Sequence, residues 1–273
     1  MNNNTGAPLL FVAHPCHELL LHGWIARAKP VVHVLTDGSD HSSSSRIDMT
    51  AQFLREIGAQ PGSIFGRLTD REAYAAILDA NSPLLLGLAN ELADNNPSMV
   101  VCDAVEGYNP VHDLCRLIAG AAIALAGSDV PQYEYSVVND PRSFEGMSDT
   151  ISLDLDDHSH AAKLARARDM AEVVPDVDEL IARYGAAGYR RETLRRVTDW
   201  TDIGSGDAQY ETLGEQRVAG HRYERVIRRA EHIAPLRDWA LKPSAPCFKN
   251  DRCDSYRDFQ KSLSDVILLF SAH

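Results

Sequence analysis

The chain has 273 residues, 44% hydrophobic and 24% charged, a balance that excludes collagenous and strongly disordered proteins. Its length suits one large domain or a domain with an elaborated tail. A formal net charge of -12 without a long basic run argues against nucleic acid as a partner and favours a neutral, polar or cationic small molecule.

Leu9 to Ala13 is a short apolar run that reads as a buried strand, and Glu18 to Ala28 reads as the helix after it. The polar cluster His14-Pro15-Cys16-His17-Glu18 between them falls at a strand's carboxyl end, where open α/β sheets hold their ligands. Pro30 to Thr36 is β-branched and apolar, a second buried strand, and it ends in the polar turn Thr36-Asp37-Gly38-Ser39-Asp40 at the same edge. His41 and serines 42 to 45 read as a mobile loop. Met49 to Ile57 has helical spacing and stops at Gly58, a natural C-terminal cap. Ser63 to Leu68 suits a third strand, and Thr69-Asp70-Arg71-Glu72 suits the cap of a short helix.

Ser82 to Asn95 predicts a longer helix with Pro83 in its first turn. Met99 to Ala104 is a buried strand, Glu106 to Asp113 the loop after it, and Leu114 to Ala126 an apolar helix packed on the sheet. Gln132 to Val138 is another strand. Strands alternating with helices at this spacing indicate an α/β fold with a Rossmann-like, mostly parallel sheet flanked by helices.

Past about residue 150 the pattern changes. Ile151 to Leu155 reads as an edge strand, and Ser159 to Glu172 and Asp176 to Tyr184 as exposed helices. Tyr223 to Ala240 and Asp258 to Ser271 suggest two more helices. With no internal repeat and no linker, 1–273 reads as a single domain, a core over about 8–140 with a mixed helical elaboration over about 150–273. The five cysteines form no disulfide-like framework, and Cys247 and Cys253 read as two unrelated thiols. A reducing compartment fits, and no apolar stretch approaches a membrane span, so a soluble, cytoplasmic protein without a membrane partner is expected. Self-association is left open.

Two clusters at strand ends, His14-x-x-His17 and Asn109-x-x-His112, have the residues that a mononuclear metal site needs. Neutral imidazoles bind zinc well, and three protein ligands leave a position for water or substrate. In a chain with 11 histidines any single one is more often a satisfied polar residue, but here three share two strand-end loops.

The same stretches resemble the PIG-L / LmbE-like family of zinc-dependent N-deacetylases. Ala13-His14-Pro15-Cys16-His17-Glu18 stands where that family has Ala-His-Pro-Asp-Asp-Glu after a strand. Thr36-Asp37-Gly38 matches its Thr-Asp/Asn-Gly turn, and Glu106-Gly107-Tyr108-Asn109-Pro110-Val111-His112-Asp113 aligns with its second motif, His-Pro-Asp-His. Tyr210 to Glu215, on through Pro235, is similar to the tail of bacterial members. The resemblance implies a Zn2+ site at His14, His17 and His112, other divalent metals being able to compete. It also implies hydrolysis of an N-acyl group on a sugar-like or other polar small molecule.

The departures fall on the catalytic positions. The family's second aspartate, a ligand, is His17, which makes the ligand set all-imidazole. Its first aspartate, the general base, is Cys16, whose ordinary thiol pKa of about 8.5 makes it a weak substitute. Its first second-motif histidine is Asn109, which can donate to an oxyanion but cannot shuttle a proton. The aspartate that orients imidazole is Val111. Asp37, Glu106 and Asp113, with Glu18, are the candidate replacement bases, although each taken singly reads first as a carboxylate of a turn or a helix start. Tyr108, where the family has glycine, would narrow the pocket or offer a phenol. Beside hydrolysis stand two other readings: non-hydrolytic metal chemistry using Cys16, and a binding homologue without catalysis.

Overall fold

The structure is a computed structural model that describes residues 6–39, 44–80, 82–170 and 173–241. The expectations for His41, Ser42 and Ser43, for Cys247 and Cys253, and for a helix over Asp258 to Ser271 lie outside those residues.

Seven strands form one sheet: β1 (Leu9–Val12), β2 (Val31–Thr36), β3 (Gln60–Leu68), β4 (Val100–Asp103), β5 (Gln132–Tyr135), β6 (Thr150–Asp154) and β7 (Arg191–Arg196). Their order is β3-β2-β1-β4-β5-β7-β6. The first five run parallel, whereas β7 pairs antiparallel with both β5 and β6. The chain builds outward from β1 to β3, then returns to the other side of β1 with β4. The carboxyl ends of β1 and β4 therefore flank the point where strand order reverses, the usual ligand crevice of such sheets.

The helices are α1 (His22–Ala28), α2 (Ile47–Ile57), α3 (Asp70–Leu78), α4 (Ser82–Ala93), α5 (Pro110–Leu125), α6 (Asp157–Asp169), α7 (Val174–Arg190), α8 (Gln209–Ala219) and α9 (Ala234–Ala240). Alternation along β1 explains the two cores. Leu9, Phe11 and Ala13 point into a cluster with residues of α3, α4, α5, α8 and α9. Leu10 and Val12 point into a second cluster, with α1, α2, α6 and α7. A strand covered on both faces must be apolar at every position, and all four residues of β1 are buried.

Local signals set several boundaries. Gly58 ends α2 at φ 74°, the left-handed conformation expected of a C-terminal cap. Thr69 and Glu72 form a reciprocal capping box on α3. Other boundaries differ from the sequence reading. The helix expected over Glu18 to Ala28 is split into a 3-10 turn, His17–Leu21, followed by α1. The loop expected to reach Asp113 stops at Asn109, whose side chain accepts from Val111 N with Pro110 in the first turn of α5.

The helix expected over Tyr223 to Ala240 begins only at Arg229, as a π-helical turn (Arg229–Ile233) leading into α9. Arg228 is extended there, its backbone N–H donated to His232 Nδ1 and its guanidinium paired with Glu211 and Glu215 of α8. Neither α8 nor β7 was expected. β7 reads Arg-Glu-Thr-Leu-Arg-Arg, too charged to show a strand pattern. Among the described residues, no helix is long and apolar enough to cross a membrane.

Candidate functional site

The turn after β1 is shaped by Cys16, which takes a left-handed conformation at φ 78° that costs a non-glycine residue roughly 1 kcal/mol or more. Its backbone N–H is held by Thr50 Oγ1 at 3.1 Å. The bend brings His14 and His17 together, their ring centroids 5.2 Å apart. His112, in the first turn of α5, completes the group at 5.5 Å from His14 and 4.7 Å from His17. All three contacts are edge-to-face. The three histidines singled out in the sequence thus converge at the β1/β4 crevice.

Hydrogen bonds fix two of the tautomers. Thr36 Oγ1 donates to Ala13 O, so it can only accept from His14 Nδ1, 2.8 Å away. Asp70 Oδ1 lies at the same 2.8 Å from that nitrogen. His14 Nδ1 therefore carries the proton, and Nε2 accepts from Asn109 Nδ2 at 3.2 Å. The Asn109 amide is oriented by its own oxygen, which accepts from Val111 N at 2.9 Å. His17 Nδ1 donates to Asp103 Oδ2 at 2.9 Å, which leaves its Nε2 bare. His112 Nδ1 is fully buried and has no hydrogen-bond partner.

Burial lowers the pKa of His14, outweighing the bond to Asp70, and places that of His112 well below the usual imidazole range. Both are neutral near neutral pH, the form that binds metal. His17, Asp103 and His112 have ligand atoms all within 4.8 Å of one another, and His14 stands beside them. A bare Nε2 on His17, an orphaned buried nitrogen on His112 and a His14 Nε2 held only by the Asn109 amide fit a divalent ion.

Asp103 and Asp70 were missed by sequence reasoning. The only signal for Asp103 was a lone carboxylate ending the apolar run Val100-Val101-Cys102, and Asp70 was read as part of a cap. Asp103 also binds Ala13 N and the Tyr135 hydroxyl. The residues expected to be catalytic are more scattered. Asn109 is in the cluster. Cys16 is buried and belongs to the apolar cluster with Val12, Phe53 and Leu54. Glu18 is fully buried beside it, and burial raises its carboxyl pKa.

Asp37 accepts from Ser39 N at 3.0 Å, an Asx turn at the end of β2. Glu106 accepts from Ser136 Oγ and from the backbone N–H groups of Val137, Val138 and Asn139. Asp113 lies beneath the loop, 3.4 Å from Gly107 N and 3.7 Å from Arg229 Nη2, and burial raises its carboxyl to about 7.

This architecture has a counterpart among solved structures. The A40926 pseudoaglycone deacetylase Dbv21 superposes with a TM-score of 0.50 and 15% identity, over 69% of this chain and 96% of that one. The two share a fold. The conserved protein TT1542 from Thermus thermophilus is similar at a TM-score of 0.47 and 18% identity, over 70% of this chain and 94% of that chain. A triple mutant of a deacetylase of the teicoplanin biosynthetic pathway aligns at 0.45 and 14%, over 70% and 99%. No protein-family model matches the sequence, and no curated protein matches it significantly.

Proposed function

We propose that this chain is a zinc-dependent hydrolase that removes an N-acyl group from a sugar-like or other polar small molecule. The observation that carries this reading is the convergence of His14, His17 and His112 at the strand-order reversal, with His17 oriented by Asp103. The fold supports it, being one that a deacetylase uses.

In this reading His14, His17 and His112 hold the ion, which would supply Lewis acidity toward a water and an acyl carbonyl. Asp103 keeps the proton of His17 on Nδ1, and Thr36 with Asp70 does the same for His14, so the Nε2 of each carries the lone pair for metal binding. Asn109 offers an N–H to a developing oxyanion. β6 and β7 share the sheet with β1, so in this reading the described residues form one unit.

A second reading, metal binding without hydrolysis, is favoured by two observations: Cys16, at the family's base position, is packed with apolar side chains, and Glu106 is committed to the loop after β5. Elemental analysis of the protein and of His112→Ala, combined with an acetate-release assay on N-acetylated sugars, separates the two. Near-stoichiometric zinc lost in the variant, with acetate released, supports hydrolysis. Zinc without acetate release favours the second reading, and no zinc even when it is offered overturns both.

A further inference from the structure

Tyr108 is 40% exposed, and its ring stands 6.3 Å from that of His112, inclined by 37°. A single exposed aromatic is ordinary on a protein surface. This one differs in how firmly its backbone is held at the edge of the histidine cluster. On one side, Glu106 is bonded to four groups of residues 136–139. Gly107 donates to Asp113 Oδ1 and accepts from Tyr210 N at 3.1 Å.

Gly107 also sits at φ 66°, and a Cβ there would lie 2.6 Å from Arg229 Nη2, so the bend depends on glycine. On the other side, Asn109 caps α5 and reaches His14 Nε2. The loop therefore holds the Tyr108 backbone in place beside His112, and only the side chain's own torsions are left for a ligand to order.

We infer that Tyr108 is the stacking wall of the ligand site and selects a ring that presents a flat apolar face, with its acyl group directed at the histidines. Two sources share that chemistry, the C–H face of a pyranose and an aromatic ring. Either meets the electron-rich face of the phenol favourably. The inference rests on the histidine cluster being the reaction centre.

Binding read without turnover tests it. Isothermal titration of the zinc-loaded wild type, Tyr108→Phe and Tyr108→Ala would use N-acetylglucosamine, acetanilide and the ringless N-methylacetamide. Tyr108→Ala should weaken the ring probe that binds by about tenfold and leave N-methylacetamide unchanged. Tyr108→Phe should stay within about twofold of wild type, because it keeps the ring. Which ring probe binds identifies the source.

The inference is overturned if Tyr108→Ala binds the ring probe as wild type does, or loses N-methylacetamide equally. It is also overturned if wild type prefers neither ring over N-methylacetamide. Acetate release is scored separately: a wall that stacks without any acetate released removes hydrolysis and leaves the wall standing.

Discussion

Asp103 Oδ2 accepts from both His17 Nδ1, at 2.9 Å, and the backbone N–H of Ala13, at 3.0 Å, so one carboxylate at the end of β4 sets the start of the turn after β1. Its other oxygen accepts the Tyr135 hydroxyl at 2.7 Å. Burial alone would push this carboxyl up, but the neighbouring imidazoles and the Ala13 N–H outweigh it and hold it at about 2. The group stays ionised across the physiological range and keeps the His17 proton on Nδ1.

Replacing it should loosen the metal. Asp103→Asn keeps the shape but removes the charge, and zinc affinity is expected to fall about 10- to 100-fold. Competition with a chromophoric chelator measures this directly. An affinity equal to wild type would mean that the Asp103 bond does not set His17.

Stability should fall in mild acid because of His33. Its ring is fully buried in β2, Nδ1 accepts from Ile64 N at 3.3 Å, and burial pushes its pKa down to about 4. The unfolded imidazole titrates near 6.5. Between those values the unfolded state binds more protons, so the contribution is complete above about 6.5 and is lost as pH falls toward 4, about 3 kcal/mol in all. Urea titrations at several pH values should show a flatter slope for His33→Gln. An identical slope would assign the acid sensitivity to other groups.

Glu106→Ala should act on the loop after β5 rather than on the metal. The change strands the backbone N–H groups of Val137, Val138 and Asn139, while Ser136 Oγ keeps Asn139 O as acceptor, and a loss of roughly 2–3 kcal/mol is expected in denaturant unfolding. Zinc content should be retained. A variant that is as stable as wild type yet hydrolytically dead would instead identify Glu106 as the base.

Lys163 and Glu192 form a buried ion pair at 3.1 Å, each side chain 1% exposed. Glu192 also accepts from Gly23 N and Trp24 N at the start of α1, while Lys163 donates to Leu20 O. Lys163→Met leaves a buried carboxylate without its cation, and a loss of about 3–5 kcal/mol is expected. Adding Glu192→Gln should recover part of it, since a neutral amide is easier to bury. Denaturant midpoints of the single and double variants decide the matter, and a single-variant loss below about 1 kcal/mol would mean the pair is screened by water.

The parallel core was legible because its strands are short apolar runs, buried on both faces and each ending in a polar turn. Gly58 and the Thr69–Glu72 box marked helix ends for the same local reason. The histidines were legible from their places at two strand ends. β7 was not, because its partners β5 and β6 lie far away in sequence and its own residues are mostly charged: Arg191 pairs with Asp154, and Arg195 with Glu134. Asp70 and Asp103 were hidden for a related reason. Their importance is a contact with His14 or His17 across the sheet, and nothing local distinguishes them from a cap or a strand-end carboxylate.

The antiparallel join of β7 to β5 bears on how the chain can be divided. Removal of everything after Ser136 would uncover the backbone donors and acceptors that Tyr133 and Glu134 share with Arg196 and Arg195. The shortened piece would keep the three histidines but lose the partners of Glu106 and Gly107 that hold the loop before His112, and would present a raw strand border able to recruit the same border of another molecule. What looks like an appendage to the parallel core is thus the cover that its β5 border needs.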